Sequence, residues 1–189
     1  MSQGGGMSQV GPEVRLGGER VYDGRVVKLE VDTVRLADGT ESRRELIRHP
    51  GATIIIPINA AGEVVLIRQW RYCVGGELLE APAGTMDHVG EDTLTCAQRE
   101  LAEETGLAAR EWTALGSFFT TPGFTTEVIH AFLARDLSPV SGFEQDFDEQ
   151  IEVEPIPWAT ALAMARRGEI RDAKTLSALL LASAVLEGE

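Results

Sequence analysis

Glutamates at positions 100, 103 and 104 are the residues of this 189-residue chain whose types and spacing best suit chemistry. Residues three and four apart share a face of an α-helix, so Glu100, Glu103 and Glu104 would lie together. Three like charges repel each other, and a divalent cation would relieve the repulsion. Carboxylate oxygens suit Mg²⁺ or Mn²⁺, and Mg²⁺ is usually shared between carboxylates and substrate phosphates. A solvated helix face is the alternative interpretation.

Local signals bound the helix that would carry these glutamates. Asp92 or Thr93 can cap its start by accepting a hydrogen bond from a free backbone N–H. Gly106 suits the left-handed conformation that commonly ends a helix. Leucine and alanine side chains lie about a quarter turn from the glutamates. One face of the helix is therefore expected to pack while the adjacent face carries charge.

The stretch around this helix resembles the signature of the Nudix hydrolases, Gly-x5-Glu-x7-Arg-Glu-U-x-Glu-Glu-x-Gly-U, where U is a bulky aliphatic residue. Every specified position is matched, by Gly84, Glu91, Arg99, Glu100, Leu101, Glu103, Glu104, Gly106 and Leu107. One departure is that six residues, not five, separate Gly84 from Glu91. That insertion lies in the loop before the helix, where it is easily tolerated. The match favours a metal site over a solvated face.

The resemblance implies an α/β Nudix fold, in which a mixed β-sheet is sandwiched between helices (α/β/α). It also implies two or three Mg²⁺ or Mn²⁺ ions, held by three carboxylates and one backbone carbonyl, namely Glu100, Glu103, Glu104 and Ala83. Arg99, which would orient the glutamates, and Glu103 are catalytic candidates. Glu149 would deprotonate the attacking water, with Asp148 as the alternative base. A solvated acidic loop is the ordinary interpretation of that segment.

Five further residues are candidate substrate contacts, because parts of the chain resemble the ADP-ribose pyrophosphatase-like branch of the family. They are Arg71 after an apolar run, Glu80 in the segment E-x-PAG, Gly123 and Glu127 in the loop TTPGFTTE, and Arg48. Arg48 belongs to an N-terminal element that, in this branch, reaches the partner's substrate. The alternative is a rim of amphipathic residues over the core for Arg71, a surface ion pair for Glu80, and a plain turn for the loop.

Three segments are expected along the chain. Residues 1–18 are rich in Gly, Ser and Gln and are predicted to form a flexible tail. Residues 19–50 are predicted to form an N-terminal antiparallel β-element of two strands, joined near Asp38-Gly39. Residues 51–189 would form the Nudix hydrolase domain. In the resembling branch the β-element builds a homodimer; the edge hairpin of a monomer is the alternative.

Apolar periodicity predicts further elements within residues 51–189. Runs 52–58 and 63–70 are β-rich, and a short hairpin connection is expected to join them in the central sheet. Two more strands are predicted near 112–119 and 126–133. Two helices close the chain, and the segment GEIRDAKTLSALLLA resembles the end of many ADP-ribose-type Nudix enzymes.

Composition narrows the function further. A net charge of −13 argues against binding to nucleic-acid polymers or anionic membranes, since both depend on positive charge. The two cysteines are too few for a disulfide framework, and no apolar run approaches the roughly 18 residues of a membrane span. A cytoplasmic location is the default expectation.

The function that these observations favour is Mg²⁺-dependent hydrolysis of ADP-ribose to AMP and ribose 5-phosphate, with a small nucleotide-sugar as the partner. The alternative within the enzyme class is another nucleoside-diphosphate sugar, such as GDP-mannose, or a dinucleoside polyphosphate. Outside that class, the chain would bind ADP-ribose or another nucleotide as a sensor without cleaving it. The complete glutamate set favours catalysis over the sensor.

Overall fold

The structure, a computed structural model, describes residues 11–88, 90–142 and 150–188. Within this part of the chain, two compact units are distinguished. The first comprises residues up to 49 together with 121–127, and the second comprises 50–120 and the residues from 128 onward.

The first unit contains a three-stranded antiparallel sheet in the order β1-β2-β3. Its strands are β1 (Val14–Asp23), β2 (Lys28–Arg35) and β3 (Glu41–Ile47). The predicted turn at Asp38-Gly39 joins β2 to β3, and Gly39 has a φ of 87°. The prediction of two strands and a tail to residue 18 was wrong about β1, which begins at Val14.

Two glycines explain why sequence reasoning missed β1. Gly17 and Gly18 lie inside the strand, and glycine weakens the local signal for extended structure. Gly18 lies directly opposite Asp32 of β2, and a Cβ on Gly18 would overlap the Asp32 carboxylate. The close approach of β1 to the Asp32 side chain therefore requires glycine at position 18, and the same glycine weakens the sequence signal for the strand.

The second unit contains two sheets. Its strands are β4 (Ala52–Pro57), β5 (Glu63–Arg71), β6 (Gly76–Glu80), β7 (Ala83–Thr85), β8 (Leu107–Phe119), β9 (Val128–Pro139) and β10 (Ile151–Pro157). One sheet is mixed, in the order β7-β4-β9-β8, with β4 parallel to β9; the other is antiparallel, in the order β10-β5-β6. The predicted short connection between these runs is present, with an antiparallel bridge from Ile58 to Val64, but the expectation that both lie in one central sheet was wrong, because β4 and β5 belong to different sheets.

Helices cover both faces of the mixed sheet, which confirms the predicted α/β/α arrangement. The helices are α1 (Thr93–Thr105), α2 (Trp158–Arg166) and α3 (Ala173–Leu186). On β4, Ile55 packs in one cluster with Leu101 of α1, while Ile54 packs in another with Leu179 of α3. Successive strand residues point to opposite faces, so the unbroken apolar run of β4 serves two cores. Among the described helices, none has the length and apolarity to cross a membrane.

Candidate active site

Helix α1 is held in place at both ends by the residues that the sequence predicted. The Asp92 side chain accepts a hydrogen bond from the Thr95 backbone N–H at 2.8 Å, and that bond holds the pKa of Asp92 below its usual value. Gly106 ends the helix at φ 68°, and its N–H reaches the Ala102 carbonyl. Because Leu101 is fully buried, the rotation of the helix is fixed, and the charged face is fixed with it.

Arg99 lies at the centre of the charged face and gathers three carboxylates. Its Nε and Nη2 donate to the two oxygens of Glu91 at 3.0 and 3.2 Å. Its Nη1 donates to Glu100 at 2.7 Å and to Glu103 at 2.9 Å. These hydrogen bonds raise the pKa of Arg99 and lower that of Glu91. The geometry thus gives Arg99 an orienting position between the glutamates; its part in catalysis stays a prediction.

The segment from Glu80 to Gly84, here called the strap, runs beside α1 with very little clearance. A Cβ on Gly84 would overlap the carboxylate of Glu100. One residue earlier, the Ala83 N–H donates to the buried Glu104 carboxylate at 2.9 Å. The strap therefore has a glycine where the Glu100 carboxylate lies against the backbone, and a backbone N–H donor where the Glu104 carboxylate does.

The carboxylates of α1 are not gathered as a ready-made metal centre, and no such cluster of three ligands occurs in the described residues. Their hydrogen bonds explain this, since Glu100 and Glu103 face Arg99 while Glu104 faces Ala83. The donor set nevertheless fits a hard divalent cation, because all three side chains offer oxygen. Gly84 has no side chain, which lets the Glu100 carboxylate lie directly against the strap backbone.

Cys96 forms part of the packing beneath this site. It is fully buried, with the Thr53 hydroxyl donating to its Sγ at 3.5 Å and the Thr85 carbonyl 3.7 Å away. Burial raises the pKa of the Cys96 thiol to about 11. The side chain is consequently a neutral thiol at ordinary pH and fills space between the strap and α1.

A second charged group meets the other end of the strap. Arg71 donates to both oxygens of Glu80, from Nε at 2.7 Å and from Nη2 at 2.9 Å. Lys174 at the start of α3 donates to Glu80 at 3.3 Å and to Asp172 at 2.6 Å. Asp172 caps α3 by accepting from the Thr175 N–H at 2.8 Å. The structure thus brings the predicted contacts Arg71 and Glu80 together and links both to α3.

The pKa values in this group follow its charges rather than its burial. Burial alone would raise the pKa of Asp172, but Lys174 and the hydrogen bonds from Thr175 lower it overall. Burial alone would lower the pKa of Lys174, but Asp172 and Glu80 raise it overall. Both side chains are therefore charged at neutral pH. Sequence reasoning missed Asp172, Lys174 and Thr175, although the segment GEIRDAKTLS that contains them was noticed as a resemblance.

Three predicted substrate contacts lie in the first unit. Arg48 donates to Glu30 at 2.9 Å and to Asp32 at 3.4 Å. Glu127 lies 3.5 Å from the His49 imidazole, and Gly123 is in the loop whose Phe124 carbonyl accepts from Ile47 at 2.8 Å. These contacts place the residues within their own unit, and their substrate roles stay predictions. Both predicted bases, Glu149 and Asp148, lie outside the described residues.

Comparisons with known proteins identify the family of this chain. The family model described as NUDIX domain matches residues 47–179. The ADP-ribose pyrophosphatase of Bacillus subtilis is 37% identical over 162 residues, covering 85% of this chain and 87% of that protein. The GDP-mannose pyrophosphatase of Salmonella arizonae is 37% identical over 155 residues, covering 74% and 80%.

A solved structure described as an ADP compounds hydrolase superposes with a TM-score of 0.86 at 26% identity, covering 96% of this chain and 98% of that one. The match extends over both charged groups at the strap, since residues 80–84, α1 and the start of α3 all fall inside the family model. This chain therefore belongs to the NUDIX domain family.

Proposed function

We propose that this protein hydrolyses the pyrophosphate of ADP-ribose to AMP and ribose 5-phosphate, with Mg²⁺ or Mn²⁺ as cofactor. The observation that carries the proposal is the gathering of Glu91, Glu100 and Glu103 around Arg99, beside a strap with no side chain at Gly84. The similarity to proteins named ADP-ribose pyrophosphatase at 37% and 34% identity supports the choice of substrate.

Glu100, Glu103 and Glu104 would hold the cations, with the Ala83 carbonyl as the fourth ligand predicted from sequence. A bound divalent cation supplies positive charge against the pyrophosphate and favours ionisation of water. In the reaction, a water oxygen forms a new bond to one phosphorus and the bond from phosphorus to the bridging oxygen breaks. Arg99 keeps two glutamates in fixed orientation throughout, which matters because positioning dominates this chemistry.

The remaining roles in the proposal belong to binding and proton transfer. Arg71 would direct its guanidinium to the phosphate oxygens. Its Nε and Nη2 donate to the two oxygens of Glu80, and this pair of hydrogen bonds fixes the plane of the guanidinium. Arg48, Gly123 and Glu127 would contact the substrate. The proton of the attacking water would pass to a loop carboxylate, for which the sequence favours Glu149 over Asp148.

We further propose a homodimer that forms through the N-terminal sheet. Strand β1 and its connection to β2 expose six large apolar side chains, namely Val14, Leu16, Val21, Tyr22, Val26 and Val27. Exposed apolar groups of this size commonly mark protein interfaces. The cytoplasm is the proposed location, and the free thiols of Cys73 and Cys96 are consistent with a reducing compartment.

Hydrolysis of GDP-mannose is the second candidate, favoured by the similarity to proteins named GDP-mannose pyrophosphatase. The discriminating experiment is product chromatography after incubation with Mg²⁺ and ADP-ribose, GDP-mannose, NADH or a diadenosine polyphosphate. The expected result is rapid release of AMP from ADP-ribose with slow turnover of the others. A different best substrate would replace ADP-ribose, and binding of ADP-ribose without cleavage would establish the sensor.

The Glu103→Gln variant tests the metal site within the same assay. It removes one charge from a partly exposed side chain, so the fold should persist while turnover falls by about a hundredfold or more. Circular dichroism provides the check on folding. A wild-type rate in this variant would remove Glu103 from the metal site.

A further inference from the structure

The start of α3 carries charged residues that the proposed function does not use. Lys174 is one of only two lysines in the chain, and its side chain is three-quarters buried. It lies 94 positions from Glu80 in sequence, yet its ammonium group is 3.3 Å from a Glu80 carboxylate oxygen. Glu80 itself is 1% exposed. A largely buried lysine held against a buried glutamate needs an explanation, because charges are costly to bury even when they are paired.

Each donor in this group has a fixed acceptor. The Glu80 oxygen that accepts from Lys174 also accepts from the Nη2 of Arg71 at 2.9 Å, and the other oxygen accepts from the Arg71 Nε at 2.7 Å. Lys174 is in turn held by Asp172 at 2.6 Å. Asp172 cannot swing away, because its second oxygen accepts from both the backbone and the hydroxyl of Thr175. The chain of contacts thus runs from the capped end of α3 to Arg71.

The same helix end also anchors the strap. The Thr175 hydroxyl, which donates to Asp172 at 2.7 Å, accepts from the Ala81 N–H at 2.8 Å. Thr175 and Ala81 are both fully buried, with 0% and 1% exposure. The position of Lys174 relative to Glu80 is therefore also fixed by the hydrogen bond between the two residues that follow them, Thr175 and Ala81.

We propose that Lys174 is a positioning residue of the substrate site, which holds Glu80 in the orientation that presents the Arg71 guanidinium to a nucleoside diphosphate. The inference rests on the proposed function of Arg71. It assigns to the end of α3 a role in substrate affinity, with no contact between Lys174 and the substrate.

The charges indicate what loss of Lys174 would do. Arg71, Lys174, Glu80 and Asp172 together are neutral, since two cations face two anions. Removing the ammonium group leaves the group with a net charge of −1 beside the arginine that receives an anionic substrate. Glu80 would also lose one of the two donors that fix its shared oxygen, so the Glu80 carboxylate and the Arg71 guanidinium paired with it would be held less firmly. Both effects weaken binding and leave the carboxylates on α1 untouched.

The test is steady-state kinetics with ADP-ribose and Mg²⁺ on the full chain. Lys174→Met should raise KM about tenfold, as expected for loss of a well-oriented charged hydrogen bond, with kcat within about threefold. Lys174→Arg, which keeps the charge, should recover most of the affinity. Lys28→Met is the matched control, because it removes the other lysine from an exposed position. If Lys174→Met does not fold, Lys174→Gln replaces it.

A double-mutant cycle separates positioning from general destabilisation. In an Arg71→Met background, Lys174→Met should raise KM by less than about twofold, because the group that Lys174 positions is gone. The same tenfold increase in both backgrounds would overturn the proposal. So would an unchanged KM in the single variant.

A second readout does not depend on turnover. The ¹⁵N spectrum of arginine Nε–H groups should show slow proton exchange at Arg71, about tenfold faster in Lys174→Met and unchanged in Lys28→Met. If the wild-type protein does not cleave ADP-ribose, the proposed function fails, and this spectrum still decides the inference. Equal exchange in all three proteins would overturn it.

Discussion

Gly84→Ala places one methyl group where α1 leaves no room for it. The new Cβ would overlap the carboxylate carbon and both oxygens of Glu100, which are its three nearest atoms. Glu100 is the far end of a flexible side chain, so the carboxylate can move and the backbone can stay. To reach an ordinary carbon–oxygen separation of about 3.5 Å, it must move by more than about 1 Å. The substitution is therefore a displacement of one proposed metal ligand.

The expected loss of rate follows from how precisely metal ligands must be placed. Metal–ligand distances vary by only about 0.2 Å, and a misplacement of about 1 Å typically costs about a hundredfold in rate. Stability should change much less. Loss of the 2.7 Å hydrogen bond from Arg99 to Glu100 would cost about 1.5–3 kcal/mol, and reduced unfolded-state entropy would return about 0.4–1 kcal/mol. A net loss of about 1–2 kcal/mol lowers Tm by about 2–8 °C in a chain of this size.

Two assays on Gly84→Ala check this reasoning. Hydrolysis of ADP-ribose at saturating Mg²⁺ should fall about a hundredfold, and Mn²⁺ binding followed by electron paramagnetic resonance should weaken. Gly76→Ala is the matched control, because a Cβ there meets no atom within 4 Å and should leave both properties unchanged. Wild-type turnover and Mn²⁺ affinity in Gly84→Ala would refute the placement of Glu100 in the metal site.

Three other predictions concern the described parts of both units. The hydrogen bonds from Arg99 lower the pKa of Glu91 below 4.5. The ionised Glu91 therefore stabilises the folded state above pH 4.5, and this contribution is lost as the pH falls through the lowered pKa. In urea unfolding, Glu91→Gln should therefore be clearly less stable than wild type at pH 7, with the gap narrowing at pH 3.5; a constant gap would contradict this. Alkylation at pH 8 should modify the exposed Cys73 within minutes and spare Cys96 until the protein unfolds, so that mass spectrometry shows one adduct and then two. Val26→Asp should shift the molecular mass measured by light scattering from dimer to monomer, and a monomeric wild type would dismiss the dimer.

Local rules were sufficient to predict α1 and its charged face. Asp92 and Gly106 act on the backbone within a few residues, so the sequence contains the whole cause of each cap. Arg99 and Glu103 are one helical turn apart, and their contact follows from that spacing. Features of this kind are predictable because no distant part of the chain decides them.

Pairings between distant segments were not predictable in the same way. β4 pairs in parallel with β9, so Ala52 lies beside Ile129, and nothing near either residue specifies the other. Pairing with β5 satisfied the local pattern equally well, which is why both strands were wrongly expected in one sheet. Lys174 presents the same difficulty, since its acceptor Glu80 is defined by how α3 packs against the strap. The segment around Lys174 contained the signal, but only the fold shows which carboxylate it meets.

The two charged groups at the ends of the strap differ in net charge, and the difference matches their proposed tasks. Around Arg99, three carboxylates face one guanidinium, which leaves a net charge of −2 before Glu104 is counted. Such an excess attracts divalent cations and repels phosphate. Around Glu80, two cations balance two anions, so Arg71 can receive an anion without a field opposing it. One short backbone segment thereby separates the proposed cation site from the proposed phosphate site, and a pyrophosphate with its metal ions is a ligand that needs both.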